Sequence, residues 1–157
     1  MTLRDRLQTA LKDAMKARAA DRLSTLRLVN AAIKDREIAL RTERGTEGGE
    51  APEMGEGEIL SILGRLVKQR QESARAYEEG GRLELAEKEL NEIHVIGEFL
   101  PKQLDEDEIQ AALDAAFAET GATGIRDMGR VMAALKARYT GQIDFGAVGP
   151  MVKARLG

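Results

Sequence analysis

The sequence predicts an all-α protein, and three features of its composition and patterning support that fold class. Ala, Leu, Glu, Lys and Arg, which are good helix formers, dominate the 157 residues. Apolar residues recur at intervals of three and four, which is the period of an amphipathic helix. β-branched residues are sparse, and no alternating run indicates a strand. A chain of this length is enough for one domain with a core, or for two small subdomains.

Two amphipathic helices are predicted near the N-terminus. The first covers residues 3–17, where Thr2 is the expected N-cap and Asp5 completes a capping box. Its expected core side chains are Leu3, Leu7, Leu11, Ala14 and Met15. The second covers residues 22–41, with Asp21 as its expected N-cap. Its main apolar stripe contains Leu23, Leu26, Val29, Ile33 and Leu40. The stripe is widened by Leu28, Ala32 and Ile38. So wide an apolar surface predicts that other helices contact this helix from two sides.

Residues 42–57 are predicted to form a loop outside the core. They contain five glycines, five glutamates and one proline, and such a composition buries too little to offset the entropy lost on ordering. A plain linker is the simpler interpretation, and a functional lid is the alternative.

A helical hairpin within residues 59–104 is the largest apolar surface in the sequence. Its first helix carries a stripe made by Ile59, Ile62, Leu63, Leu66, Val67, Ala74 and Tyr77. Paired glycines at 80 and 81 end that helix, because they favour the left-handed turn found at helix C-termini. The second helix ends before Pro101 and carries Leu83, Ala86, Leu90, Ile93 and Ile96. So short a connection predicts antiparallel packing of the two helices.

Three shorter helices are predicted after this hairpin. Asp105 caps the first, with a glutamate three residues later to complete a capping box. Gly129 in the second is expected to let a neighbour approach closely, and Pro150 falls near the first turns of the third. Together they predict a C-terminal three-helix subdomain at 101–157, following an N-terminal helical subdomain at 1–100.

Catalytic, cofactor and metal motifs are missing from the sequence. The chain has no Cys, which excludes disulfides, thiolate zinc sites and Cys nucleophiles. His94 is the single histidine, and a lone helical histidine is more often a boundary residue than a base. Glu89 and Glu92 share a helix with Arg82 and Lys88, and salt-bridge lacing explains them more simply than acid–base chemistry. We therefore expect no catalytic residue, no cofactor and no metal.

The expected location is the cytoplasm. The N-terminus begins with a charged amphipathic helix rather than an apolar signal core. No apolar run approaches the roughly 20 residues that span a bilayer, so no membrane partner is expected.

Charge is distributed unevenly along the chain. The net charge is −3, but residues 1–44 hold 11 Lys/Arg against 6 Asp/Glu, a net +5. Residues 45–120 hold 7 against 19, a net −12, and residues 121–157 hold 6 against 2, a net +4. Solvated helix faces account for this pattern as well as binding does.

The basic residues are the remaining candidates for a function. A cluster of exposed cations holds a phosphate backbone by charge alone, without aromatic side chains that read bases. The first candidate group is Arg126, Arg130, Lys136, Arg138 and Lys153, and the second is Lys68 and Arg70. The plainer interpretation of both groups is a solvated helix face.

Nearly the whole chain resembles the GatB/YqeY family. The strongest motifs are Phe99-Leu100-Pro101-Lys102-Gln103-Leu104, Met128-Gly129-Arg130-Val131-Met132, Thr140-Gly141-Gln142-Ile143-Asp144 and the segments 21–29 and 68–98. The glycine-rich segment 42–57 departs from the family pattern. The resemblance implies two helical subdomains and contact with tRNA, because the family includes the tail of the GatB subunit of the tRNA-dependent amidotransferase, which grips tRNA. It does not imply transamidation, which needs a catalytic domain and a glutaminase partner.

Three functions follow, in order of preference. The first is a tRNA-binding or tRNA-associated accessory protein that is not itself an enzyme, with a protein of the translation or aminoacyl-tRNA pathway as a further candidate partner. The second is a helical protein–protein interaction adaptor, in which the acidic middle segment docks a basic partner. The third is an amidotransferase-linked activity, as a carbon–nitrogen ligase with glutamine as amido donor, which rests on the family label alone.

Overall fold

The structure, a computed structural model, describes residues 1–43 and 54–157. Within those ranges the secondary structure is helical throughout and contains no strand, which confirms the all-α prediction. A 3-10 turn covers Ile125–Asp127. The helices are α1 Leu3–Ala17, α2 Ala20–Glu43, α3 Glu56–Glu79, α4 Leu83–Gly97, α5 Glu106–Thr120, α6 Met128–Tyr139 and α7 Phe145–Leu156.

The segment predicted as a loop is shorter at both edges than the sequence suggested. Helix α2 continues to Glu43 and α3 begins at Glu56, so helices take up both ends of the predicted loop. Met54 is buried and packs in the core of the first unit. The rest of that prediction concerns residues 44–53, which lie outside the described residues.

The chain divides into two compact units, Met1–Leu100 and Pro101–Gly157. Each unit has its own cluster of buried apolar side chains. Helices α1 to α4 form the first unit, and α5 to α7 form the second.

The capping residues predicted for the start of α1 are confirmed, but the residue predicted to cap α2 is not. The Thr2 side chain accepts from the Asp5 N–H at 3.1 Å, and the Asp5 carboxylate accepts from the Thr2 N–H at 3.2 Å. Helix α1 ends at Arg18, which has a left-handed φ of 54°. Helix α2 begins immediately at Ala20, so the prediction of Asp21 as its N-cap is wrong. Asp21 lies in the first turn, where its charge still suits the helix dipole.

Helix α2 is buried along one stripe only. Leu26, Val29 and Ile33 are 1%, 0% and 4% exposed, and α1, α3 and α4 all pack against this helix. Leu28 and Ile38 remain exposed, so the prediction that they extend the buried stripe is wrong. The partners of α2 therefore cover one side, and the opposite side faces solvent.

The hairpin of α3 and α4 carries core residues on its proximal half only. Members of the core cluster come from residues 59–67 of α3 and from residues 95–100, at and just after the end of α4. Residues 71–91, which we call the distal hairpin, contribute none, and their buried side chains are Ala74 and Ala86. Leu83 and Leu90, predicted to be core, are exposed because the bundle does not reach this part of the hairpin.

The second unit follows the predicted helices closely. Asp105 and Glu108 form the expected capping box at the start of α5. Buried side chains from all three helices meet in one cluster that includes Leu113, Leu135 and Val152. The prediction that Gly129 lets a neighbour approach closely is wrong, because a Cβ built there meets no neighbouring atom within 4 Å. At Gly149 of α7 such a Cβ would lie in ordinary van der Waals contact, 4.0 Å from Met128 Cε.

Candidate nucleic-acid interface

The solvent-facing side of α6 combines small residues with basic edges. Val131 and Leu135, on the opposite side, are 0% and 1% exposed, which fixes the orientation of the helix. At 100° per residue, five exposed residues follow one another across a sector of about 120°. In order they are Arg130, Ala137, Ala133, Gly129 and Lys136, and we call these five the α6 face. Its centre has no side chain larger than a methyl group, and a cationic side chain lies at each edge, Arg130 on one side and Lys136 on the other.

Arg130 borders the α6 face on the side of α5. Its guanidinium donates to Asp127 Oδ1 at 2.6 Å and to the Thr120 carbonyl at 3.2 Å. Arg138 lies farther round the same side and pairs with Glu119 at 3.0 Å. Both arginine side chains are more than half exposed, at 60% and 56%. Exposed pairs contribute little stability, so breaking either of these pairs costs little.

Lys136 borders the α6 face on the side of α7. Its ammonium lies 5.9 Å from the centroid of the Phe145 ring, within the range of a cation–π contact. The backbone carbonyl of Lys136 accepts from the Thr140 hydroxyl. The side chain is held against α7 while its charge stays exposed to solvent.

Arg126 and Lys153 complete the first candidate group. Arg126 lies in the 3-10 turn before α6, Lys153 lies in the last turn of α7, and both are exposed. Among the described residues, neither side chain has a hydrogen bond or an ion pair. The structure thus places all five residues of the group on the surface of the second unit.

Asp127 organises the start of α6. Its Oδ2 accepts from the backbone N–H of Thr123 at 2.9 Å and of Gly124 at 3.3 Å, and its Oδ1 accepts from Arg130. The Thr123 hydrogen bond, followed by the Arg130 and Gly124 bonds, lowers the pKa of the Asp127 carboxyl to about 2. The carboxylate is therefore charged under neutral conditions and orients Arg130.

Acid is expected to destabilise the second unit through Asp127. Its folded-state pKa of about 2 lies below the ordinary aspartate pKa of 3.8, so its stabilisation is full above about pH 4. That stabilisation is lost as the pH falls from about 4 to about 2. Asp127→Asn should remove this part of the pH dependence, as measured by thermal unfolding followed by circular dichroism between pH 2 and 7. If the wild type and Asp127→Asn lose stability in parallel over that range, this role of Asp127 is refuted.

The second candidate group does not form one surface. Lys68 is exposed on α3, whereas Arg70, two residues on, points about 200° away around the helix. Arg70 Nε donates to Glu92 Oε2 at 2.8 Å, and an Arg70 guanidinium nitrogen donates to the Leu66 carbonyl at 3.0 Å. The Arg70 side chain is only 11% exposed, so we leave it out of the proposed interface.

Two features of the structure differ from the sequence-based expectations. Glu92 was expected to pair along its own helix, but it pairs across the hairpin with Arg70. Arg27 and Lys34, which were not among the candidates, are exposed cations of α2 with no hydrogen bond or ion pair to any described residue. Their seven-residue spacing, which puts them on one side of a helix, was the available signal.

The described residues contain neither a metal-binding cluster nor a membrane-spanning helix. In residues 1–43 and 54–157, no group of three or more His, Asp or Glu side chains is placed to hold a metal ion. None of the described helices is both long enough and apolar enough to cross a bilayer.

Comparison with known proteins places the chain in a family. A family model described as Yqey-like protein matches residues 4–156. Altered inheritance of mitochondria protein 41, mitochondrial, from Clavispora lusitaniae is 35% identical over 104 residues, which cover 64% of this chain and 55% of that protein. An uncharacterized protein from Schizosaccharomyces pombe is 29% identical over 96 residues, which cover 61% of this chain and 70% of that protein. The match thus spans little more than half of the first relative. Because the family model covers almost the whole chain, the protein belongs to the Yqey-like family, as the sequence motifs indicated.

Proposed function

We propose that this protein is a cytoplasmic tRNA-binding accessory protein, without transamidation activity of its own, and that the α6 face contacts the RNA backbone. The observation that carries the proposal is the composition of this face. Gly129, Ala133 and Ala137 leave its centre flat, and Arg130 and Lys136 border it. A phosphate backbone binds to such a surface by charge, and no aromatic side chain is needed to read bases.

The open position of Gly129 supports this assignment. Apart from its chain neighbours and the backbone of its own helix, no atom of the described residues lies within 4 Å of a Cβ built at that residue. Glycine is less favourable than alanine in a helix, and packing inside the protein does not compensate for it here. Close approach of an external partner to the helix backbone would explain a glycine at this position.

The local charge also supports the proposal, although the whole chain is acidic. Residues 121–157 contain six Lys/Arg and two Asp/Glu, a net charge of +4, whereas the chain as a whole has −3. Phosphate binding responds to the potential at the contact surface, and a basic region steers a polyanion to it. The predicted contact residues outside the α6 face are Arg126, Arg138 and Lys153, with Lys68 as a candidate on α3.

A single substitution in the centre of the α6 face tests this assignment. Ala133→Glu places a carboxylate between the two bordering cations and removes the flat surface, so the affinity for bulk tRNA should fall by about tenfold or more. Fluorescence anisotropy with labelled tRNA measures the change. The matched control is Ala111→Glu, which adds the same charge at an exposed alanine of α5 in the same unit.

The comparison between these two variants decides the outcome. Retained helicity in both, with weaker binding for Ala133→Glu alone, is the expected result. Equal loss of affinity in the two variants would show that total charge, rather than the α6 face, governs binding, and the assignment would fail.

A further inference from the structure

We propose that the distal hairpin, residues 71–91, is a docking site for a basic amphipathic helix of another protein. The proposal is independent of tRNA binding, because it concerns the first unit whereas the α6 face belongs to the second. It starts from the observation that this well-formed pair of helical segments adds no side chain to the core cluster of its unit.

Exposed leucines are concentrated on the distal hairpin. Leu83, Leu85 and Leu90 are 67%, 39% and 48% exposed. Leu83 and Leu90 are seven residues apart on α4, so they lie on the same side of the helix, two turns from each other. Leu85 lies about 200° from Leu83 around the helix and is not part of this pair. Two large apolar side chains on one side of an otherwise charged helix favour a protein contact, because their burial by a partner is favourable.

The negative charge around these leucines favours a basic partner. The segment 71–91 contains six Glu and three Lys/Arg, a net charge of −3. Glu87 is exposed and lies about 40° from Leu83 and about 60° from Leu90 around the helix. An acidic surface repels a phosphate backbone, and it also repels the same acidic surface of a second copy. A basic polypeptide satisfies both the charge and the apolar contacts.

The spacing of the leucines indicates a helical partner. Side chains repeated every seven residues along a helix match the apolar seam of a second helix, as in helix–groove and coiled-coil recognition. A partner with leucines at the first and fourth positions of its heptads, and lysines beside them, places its cations next to Glu84 and Glu87.

The base of the distal hairpin holds the docking surface in place. Arg70 on α3 and Glu92 on α4 are joined by the 2.8 Å hydrogen bond described above, and both side chains are largely buried. The buried alanines Ala74 and Ala86 leave room for the two helices to pack closely. A surface formed before binding loses little conformational entropy when it binds, which favours affinity.

The test measures binding of the full-length chain to a synthetic probe. The probe is a fluorescent three-heptad peptide with leucines on its seam and lysines flanking them, and the matched peptide carries glutamates in place of the lysines. The lysine peptide should bind more tightly, and Leu90→Ser and Glu87→Lys should each weaken its binding about tenfold. Ile38→Ser is the control, since it alters an apolar residue outside the distal hairpin that is exposed at least as much as Leu90, and it should leave binding unchanged.

Each alternative occupant gives a distinct result. Equal binding of the two peptides, or equal effects of Leu90→Ser and Ile38→Ser, would overturn the proposal. Concentration-dependent association of the chain in sedimentation experiments, abolished by Leu90→Ser, would assign the surface to a second copy instead. Loss of tRNA binding in Leu90→Ser would assign it to RNA. Circular dichroism confirms the fold of each variant, and Glu87→Lys serves if Leu90→Ser does not fold.

Discussion

Leu63→Ala is expected to lower the free energy of unfolding by about 3 kcal/mol. Leu63 is 0% exposed in the N-terminal half of α3, where it belongs to the same cluster as Leu26, Val29 and Ile96. Truncation loses the transfer free energy of three carbon atoms and leaves a cavity that close-packed neighbours fill only in part. Urea denaturation followed by circular dichroism measures the change.

A leucine on the same hairpin provides the control for that measurement. Leu83→Ala removes the same atoms at a position that is 67% exposed, so it should change stability by less than about 0.5 kcal/mol. If the two substitutions cost the same, the described division between a packed proximal hairpin and an exposed distal hairpin is incorrect.

Arg70→Met is expected to destabilise the first unit by about 2 kcal/mol. The substitution keeps much of the apolar stem but removes the donors to Glu92 and to the Leu66 carbonyl. Loss of one partner from a largely buried pair leaves the other charge without compensation, which costs more than the pair contributes. The Glu92 side chain is 21% exposed, so water relieves part of that cost.

A double-mutant cycle isolates the contribution of this pair. With Glu92→Leu added, no charge is left unpaired, so the double variant should be more stable than the sum of the two single changes predicts, by about 1 kcal/mol or more. Strict additivity in urea denaturation would contradict the pairing of Arg70 with Glu92.

The helix positions could be predicted because their signals are local. The capping boxes at Thr2 and Asp105 involve residues three apart, and their geometry does not depend on the rest of the fold. The failure at Asp21 has a local cause as well. Arg18 ends α1 in a left-handed conformation without a glycine, and α2 then begins two residues later. Such a short break between two helices leaves only a weak signal in the sequence.

Burial was harder to predict than helix position. Periodicity shows which side of a helix is apolar, but not how far along its length the partner helices reach. Leu83 and Leu90 have the spacing of core residues, yet they lie on the distal hairpin, where the bundle gives no cover. Met15 was expected on the inner face of α1 but is 53% exposed, on its last turns.

Charge type and helical position gave opposite predictions for Arg70. Its place four residues after Leu66 and four before Ala74 puts it on the buried stripe of α3, whereas its charge suggested a surface residue. In the structure Arg70 is buried, as its helical position predicts, because Glu92 on the facing helix supplies an ion-pair partner. The cations of the α6 face could be found from sequence, because they lie away from the Val131 and Leu135 stripe.

The most direct test of the proposed function is the salt dependence of binding to bulk tRNA by fluorescence anisotropy. The logarithm of the wild-type affinity should fall linearly with the logarithm of the salt concentration, and Arg130→Gln/Lys136→Gln should flatten that slope by about two units. Arg27→Gln/Lys34→Gln, which removes two exposed cations of α2, should leave the slope unchanged. No binding at low salt, or the same slope in all three proteins, would contradict RNA recognition by the α6 face.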